Sequence, residues 1–176
     1  LNGDGVVDLK DQAPIGYSSV PEYTFGGVLN VGYKNFDISF LFQGVSHVTN
    51  YITGNGVFST ANFVARHLES WTAERAANGD PINYPRLTTQ TSPNEIANSF
   101  FIVNTSYIRL KNLELGYTLP AEWSKKISSR QIRIYANGLN LFTWDKLPTH
   151  EFDPELINNT TYPIERIFNF GINLTF

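Results

Sequence analysis

Asn2, Asp4, Asp8 and Asp11, with Gly5 among them, are the residues of this chain whose spacing best fits a metal site. Oxygen ligands at alternate positions converge on one hard cation when a glycine permits the sharp turn between them. On that pattern Asn2, Asp4 and Asp8 would ligate Ca2+ through side chains, Val6 through its carbonyl, and Asp11 would close the loop. The first ligand of such a loop is absent, which weakens it. The plainer reading is a turn rich in Asx and Gly residues. Three histidines (His47, His67 and His150) lie far apart, with no spacing that suggests a shared metal or a base. Serine, histidine and aspartate can be combined on paper, but no serine sits on a Gly-x-Ser-x-Gly turn. Asp153 and Glu155 read as a solvated loop pair, so no enzyme is expected. Trp71, Tyr84 and Arg86 could stack on a sugar ring or touch a partner protein; packing within their own loop is the simpler alternative.

The residues that frame these candidates set the class of protein. The chain has 176 residues, 14% of them aromatic and only 16% charged, with a formal net charge of −3. Soluble surfaces carry roughly 25% charged residues. The net charge and the lack of a Lys/Arg cluster beyond Lys125-Lys126 argue against nucleic acid. There is no cysteine, hence no disulfide scaffold. No run approaches the ~18 apolar residues of a transmembrane helix. The chain has neither a signal peptide nor any methionine, and is expected to be a piece of something longer.

Period-two alternation predicts five strands: Tyr23–Tyr33, Phe36–Gly44, Thr105–Leu119, Gln131–Thr143 and Arg166–Phe176. Lys34-Asn35 alone separates the first two. The third changes phase, and a β-bulge near Lys111-Asn112 would restore one apolar face. The fourth is expected to slip at Gly138, placing Leu139 and Leu141 with Ile132, Ile134 and Ala136. Between these strands lie Lys34-Asn35, then a loop of residues 45–104, then Pro120–Arg130 with one short helical turn, then Trp144–Glu165. Within the long loop, Asn62–Arg75 has helical spacing behind an Asn62 cap. Short turns at one end and long loops at the other are the asymmetry of outer-membrane barrels. With a periplasmic C-terminus, both long loops fall outside the cell. Phe142 and Trp144 would then join the aromatic girdle at the headgroups. Residues 1–22 form the Asx/Gly-rich lead-in and residues 23–176 the barrel strands and loops.

The final strand carries the most specific pattern. Phe168, Phe170, Ile172, Leu174 and Phe176 share one face, while Asn169, Gly171, Asn173 and Thr175 share the other. A transmembrane strand needs such an apolar lipid face and polar lumen face, although one strand of a soluble sandwich can alternate likewise. The spacing of Asn169, Gly171, Leu174 and Phe176 resembles the C-terminal signal read by the outer-membrane barrel assembly machinery. Two sequons, Asn104-Thr-Ser and Asn159-Thr-Thr, read as chance.

Several phrases together resemble the SusC/RagA-type TonB-dependent outer-membrane transporters of Bacteroidetes. They are Asn2-Gly-Asp-Gly-Val-Val-Asp8, Pro21-Glu-Tyr-Thr-Phe-Gly26, Asp37-Ile-Ser-Phe-Leu-Phe-Gln-Gly44 and Tyr84-Pro-Arg86, followed by Ser106-Tyr-Ile-Arg-Leu-Lys-Asn-Leu-Glu-Leu-Gly-Tyr117, Asn140-Leu-Phe-Thr-Trp144 and Asp153-Pro-Glu155. Their order and rough spacing cover essentially the whole chain. The resemblance implies a barrel of about 22 strands, of which these would be the last five. It also implies a plug and a TonB-contacting N-terminus outside this chain, a SusD-like surface lipoprotein as lid, outer-membrane lipid around the wall, and import of oligosaccharides or peptides. The expected fold is therefore all-β: an antiparallel transmembrane β-barrel segment with long extracellular loops. Five strands are too few to close, since the smallest barrels need about eight, so the first and last strands are expected at open edges. Two alternatives of other classes are a soluble β-sandwich that binds carbohydrate and a passive porin-like barrel.

Overall fold

The computed structural model describes residues 2–6, 8–52, 65–88, 98–150, 152–157, 162 and 164–176. Its main element is a five-stranded antiparallel sheet of β1 (Tyr23–Tyr33), β2 (Phe36–Ser46), β5 (Tyr107–Thr118), β6 (Gln131–Asp145) and β7 (Ile167–Thr175), each beside its neighbour in the chain's barrel order. The five predicted strands are these five, with ends moved by one or two residues. Two short strands within the long connection, β3 (Thr49–Tyr51) and β4 (Ile102–Asn104), form a second small sheet. They were not legible in the alternation, which is too short there to count. Edges β1 and β7 are open, and the sheet does not close on itself.

Register keeps one chemistry on each face. Residues directly opposite in an antiparallel pair share a face. The row Tyr33, Phe36, Tyr117, Ile134, Ile172 runs across all five strands, as do Val31, Ile38, Leu115, Ala136, Phe170 and Leu29, Phe40, Leu113, Gly138, Phe168. The opposite face reads Gly32, Asp37, Gly116, Tyr135, Gly171 and Asn30, Ser39, Glu114, Asn137, Asn169 in the same rows. No other layer covers the apolar face among the described residues: Phe170 is 83% exposed and Phe168 and Ile172 65% each.

Two irregularities preserve this segregation. Lys111 has no partner on either side, because Leu110 and Asn112 pair with Phe42 and Leu41 on β2 and with Phe142 and Leu139 on β6. The expected bulge sits there. The expected slip of β6 does not fall at Gly138. Gly138 still pairs in phase with Phe168, and Leu139 joins the polar-face register opposite Asn112. The irregularity is at Asn140, whose φ is +54°. That left-handed residue, a conformation asparagine tolerates better than most, swings the Leu141 side chain back over Gly138, where a Cβ would meet it at 2.7 Å. Leu141 therefore reaches the apolar face and Leu139 does not.

The connections alternate as the parity argument requires. Lys34-Asn35 and the 119–130 segment with α2 (Ala121–Lys126) lie at one end, and Asn35 O accepts from Thr118 N at 2.8 Å. The 47–106 and 146–166 connections lie at the other. In the long connection the expected Asn62–Arg75 helix is divided. Ala65–Glu69 is a 3-10 segment, and α1 (Ala73–Asn78) starts at a Thr72 cap whose hydroxyl accepts from Arg75 N at 3.1 Å. The break has a cause: Ser70 bridges Tyr84, and Trp71 N donates to Tyr84 O at 2.9 Å, so backbone there pairs sideways. The Asn62 cap, Phe63 and the Asn159 sequon lie outside the described residues.

Gly171 shows how closely the polar face is fitted. A Cβ there would lie 2.5 Å from Tyr135 Cζ, because the tyrosine ring lies over its directly opposite glycine. Gly171→Val should destabilise the folded sheet by roughly 1–3 kcal/mol, the usual range for overpacking. Adding Tyr135→Ala should recover most of that loss, read from the temperature at which the full-length protein loses its folded electrophoretic mobility. No recovery in the double variant would refute the ring-over-glycine account.

Candidate functional site

The polar face and the loops that rise from it hold the chain's polar chemistry. Near the tight-turn end, Arg133 on β6 reaches across β5 to Asp37 on β2. Its Nε donates to Asp37 Oδ1 at 3.0 Å, its Nη2 reaches Asp37 Oδ2, and Nη2 also donates to Glu114 Oε1 at 2.7 Å. The crossing is possible because Gly116 lies between them: a side chain there would occupy the space of the guanidinium and the Asp37 carboxylate. Asn137 continues the network to Glu114, and Asn169 donates to Asn137 Oδ1 at 2.8 Å. One polar chain thus ties β2, β5, β6 and β7 together.

A second arginine anchors the loops. Arg109 on β5 is 1% exposed. Its Nε donates to Thr143 Oγ1 at 2.8 Å, and its Nη2 meets both carboxylate oxygens of Asp153 at 2.7 and 2.6 Å. Nη1 lies 3.2 Å from Glu155 Oε1, an ion pair without a hydrogen bond. Lys111 Nζ, carried out of the ladder by the bulge, is 3.0 Å from the same oxygen. The expected solvated Asp153/Glu155 pair is thus corrected: both carboxylates dock onto a buried cation, since burying Arg109 without counter-charge would be prohibitive. Beside them, Phe152, Ile52 and Val103 form a small core with Leu147 and Ile157. Loop 146–157 and the base of the long connection are therefore one packed body. Burial alone would raise the Glu155 pKa, but hydrogen bonds from Lys111 and Tyr107 and the Arg109 and Lys111 charges outweigh it, leaving the carboxyl below its ordinary 4.5.

The three loop residues proposed to touch a solute or lid separate. Tyr84 is 2% exposed and packs edge-on against His67 at 4.6 Å and Phe100 at 5.7 Å, with Arg66 over its ring at 4.9 Å. Burial pushes its hydroxyl up to about 12. Its ring belongs to the loop's own core, as the simpler of the two readings had it, which removes Tyr84 from the residues able to touch a solute or lid. Trp71 and Arg86 are exposed, with the guanidinium 5.8 Å from the indole ring. Arg66 was missed by sequence reasoning; with Glu69, Asn83, Phe100, Pro148 and Thr149 it lines an open groove of about 510 Å³. Only its helical spacing in the sequence hinted at it.

The opening loop folds on itself. Asp4 N donates to Asn2 Oδ1 at 2.9 Å, Val6 N to Asp4 Oδ1 at 2.8 Å, and Lys10 N to Asp8 Oδ1 at 2.7 Å. Asp11 accepts from the backbone of Asp8 and Asn2, and these hydrogen bonds hold its carboxyl below the usual range. Gly3 and Gly5 take the positive φ values the turns require. The four predicted assembly residues occupy β7 and the position after it. Asn169 and Gly171 lie in the polar-face rows, and Leu174 pairs with Ile132 on the apolar side. Phe176 is 75% exposed beyond the end of the ladder, next to Thr175, whose carbonyl accepts from Arg130 N and Ser129 Oγ.

An apolar sheet face open along its whole width, a charged and glycine-rich opposite face, and loops at one end define a segment of membrane β-barrel wall. Comparison with known proteins agrees. The chain is 30% identical over 193 residues to TonB-dependent receptor P26 of Formosa agariphila, matching 99% of this chain and 19% of that protein. It is 26% identical to TonB-dependent receptor SusC of Bacteroides thetaiotaomicron, over 99% of this chain and 17% of the relative. Among solved structures, the RagAB peptide importer in its open-open state matches with a TM-score of 0.68 and 26% identity, over 97% of this chain and 19% of that one. No protein-family model matches. The chain belongs to the TonB-dependent outer-membrane receptors. Within them it is of the SusC and RagA type, and it spans about a fifth of the length of the curated relatives it matches.

The Arg109 cluster gives a direct expectation. Arg109→Met leaves Asp153 and Glu155 without their cation, and breaking a buried pair costs roughly 3–5 kcal/mol. The variant's 146–157 loop should become sensitive to limited proteolysis while the strands stay protected. Because the Glu155 pKa is depressed, its share of loop docking is fully present above pH 4.5 and lost as pH falls below that value. Proteolytic protection of the wild-type loop should fall in that acid range, and a loop equally resistant at pH 7 and well below pH 4 would contradict the assignment.

Proposed function

We propose that this chain is the last five strands of a TonB-dependent active importer, with its C-terminus in the periplasm and its long loops outside the cell. It supplies membrane wall and an outer rim, and performs no covalent chemistry. The observation that carries the reading is the uncovered apolar face in unbroken register over five strands, with both long connections at one end. Such a face in water would be a severe aggregation liability; in lipid it is the required surface. The soluble-sandwich alternative needs a second sheet against that face. A passive porin would share the wall, and an upstream plug separates it from an importer.

The importer reading includes a SusD-like lipoprotein seated on the outer rim, with oligosaccharides or peptides as cargo and TonB as the source of work. Similarity to the RagAB peptide importer supports peptides within this class of cargo. Exposed Trp71 and Arg86 and the groove beside Arg66 are the described loop residues suited to meet a solute or lid. Phe142 and Trp144, stacked at 6.2 Å and each 56% exposed near the long-loop end, form the girdle at the outer headgroups. Calcium at Asn2, Asp4, Val6, Asp8 and Asp11 is a proposal from spacing. The loop's internal hydrogen bonds hold it without an ion, and Ca2+ titration of the full-length protein by calorimetry decides the matter, absence of heat removing the proposal.

Uptake is tested with the full-length receptor in its own cells. Labelled oligopeptides or oligosaccharides should accumulate only when the receptor, TonB and the proton gradient are all present. Uptake that survives loss of TonB would favour the porin. Assembly offers a second test. If Asn169, Gly171, Leu174 and Phe176 form the assembly signal, deleting Phe176 should lower the receptor in outer-membrane fractions out of proportion to one exposed side chain. Phe168→Asp, on the same face outside that pattern, should lower thermal stability after insertion, by less than the ~2–4 kcal/mol of a mid-membrane Arg or Lys. Equal membrane levels for wild type and the Phe176 deletion would eliminate the signal.

A further inference from the structure

The end of the sheet with the tight turns is also its cationic end. Lys34, Lys125, Lys126 and Arg130 are exposed there, against Glu122, the α-carboxylate of Phe176, and an Asp37 carboxylate that Arg133 already pairs. The strand ends opposite are flanked by Glu22, Asp145 and Glu165 against Lys146 and Arg166. The hydrogen bond from Thr118 N to Asn35 O joins the two tight turns, so the four cations share one rim. Two of them lie over aromatic rings: Lys126 Nζ is 5.8 Å from the Trp123 centroid and Lys34 Nζ 5.3 Å from that of Tyr33. Trp, Tyr and Lys together mark the level of lipid headgroups.

Beside this rim the apolar face is hollowed. Phe36, Tyr117, Ile134, Phe170 and Ile172 stand around the small Ala136 and leave an apolar groove of about 530 Å³. Four of them, Phe36, Tyr117, Ile134 and Ile172, form one cross-strand row close to the strand ends that meet α2 and the Lys34 turn. A groove with a cationic rim at one end complements an amphiphile with an anionic head and an apolar tail. Each cation near a membrane surface gains about 1 kcal/mol from anionic lipid, or about five-fold in partition. A zwitterionic head brings its own cation and forfeits that gain. An acidic protein partner could neutralise the rim but would leave the adjoining groove empty.

We propose that this corner of the sheet binds an anionic glycerophospholipid, its phosphate on the Lys34, Lys125, Lys126 and Arg130 rim and an acyl chain in the groove over Ala136. This rests on the orientation given above, which places the rim in the periplasmic leaflet. The test uses the full-length receptor in detergent with equal amounts of phosphatidylglycerol and phosphatidylcholine of the same chain length, with bound lipid counted by native mass spectrometry. Phosphatidylglycerol should be retained in about five-fold excess or more. K125Q/K126Q/R130Q, which alters only the connection between strands, should bring the ratio toward parity. Ala136→Phe, which fills the groove, should reduce retention of both lipids and keep the anionic preference. Equal retention by the wild type, or an excess untouched by the triple variant, would overturn the site; retention untouched by Ala136→Phe would overturn the groove. A Lys34→Cys receptor exposed to a membrane-impermeant maleimide on intact cells checks the orientation independently. Labelling there would sink the leaflet assignment even if the lipid preference stood.

Discussion

The chain is arranged around a sheet whose apolar side, among the described residues, has no protein to lie against. A soluble fold hides such a surface with a second layer, and the described residues supply none for Phe168, Phe170, Ile172 or Leu115. The burden therefore falls on register. A one-residue slip of any strand would turn its aromatic residues to the polar side and its charges toward lipid. The extra residue at Lys111 is a correction to that register, which explains its position: it realigns Ile108 and Leu110 with the apolar side chains nearer the tight turns. Phe142 and Trp144 keep the phase of Ile134 and Ala136 past the left-handed Asn140, which brings only Leu141 across.

The polar side meets the opposite demand, since its charges must be satisfied where water and partners are rationed. Two arginines do most of this. Arg133 spans three strands over the bare backbone of Gly116, and Arg109 draws the 146–157 loop down through Asp153 and Glu155. The first ties strands to one another and the second ties a loop to strands. Both depend on absent side chains or displaced ones: Gly116 clears the path for one, and the bulge at Lys111 delivers a further cation to Glu155 for the other.

Strand positions were legible because each strand has a two-sided environment and writes that environment into alternation. The family phrases were legible for the same reason, being runs of wall residues. The loop contents were not. Asp153 and Glu155 look like any solvated acidic pair until Arg109, more than forty positions away, is placed beside them. Trp71, Tyr84 and Arg86 read alike in the sequence, and only the pairing of Ser70 and Trp71 with the Tyr84 backbone and the Phe100 ring against it separate the buried tyrosine from its two exposed companions. Helical spacing in 62–75 was real in part, but it could not reveal that backbone at 70–71 would be taken by a sideways bridge. The fault at Asn140 was misplaced by two residues, because a leucine on either side of it satisfies the pattern equally well.

The order of the sheet has one more consequence, for the sequence of events by which it forms. Each large strand pairs only with the one next to it along the chain, so the wall can grow hairpin by hairpin with short closures. The exception is the step from β2 to β5, which must bring together strands separated by the 47–106 connection. The entropy of closing a loop grows with the logarithm of its length. The β3–β4 pairing at the mouth of that connection spans nearly the same length of chain, so it does not lessen the cost of closure. It places the cost at the rim: once Thr49–Tyr51 and Ile102–Asn104 are paired, only a few residues separate them from the wall strands, and β2 and β5 follow as near neighbours.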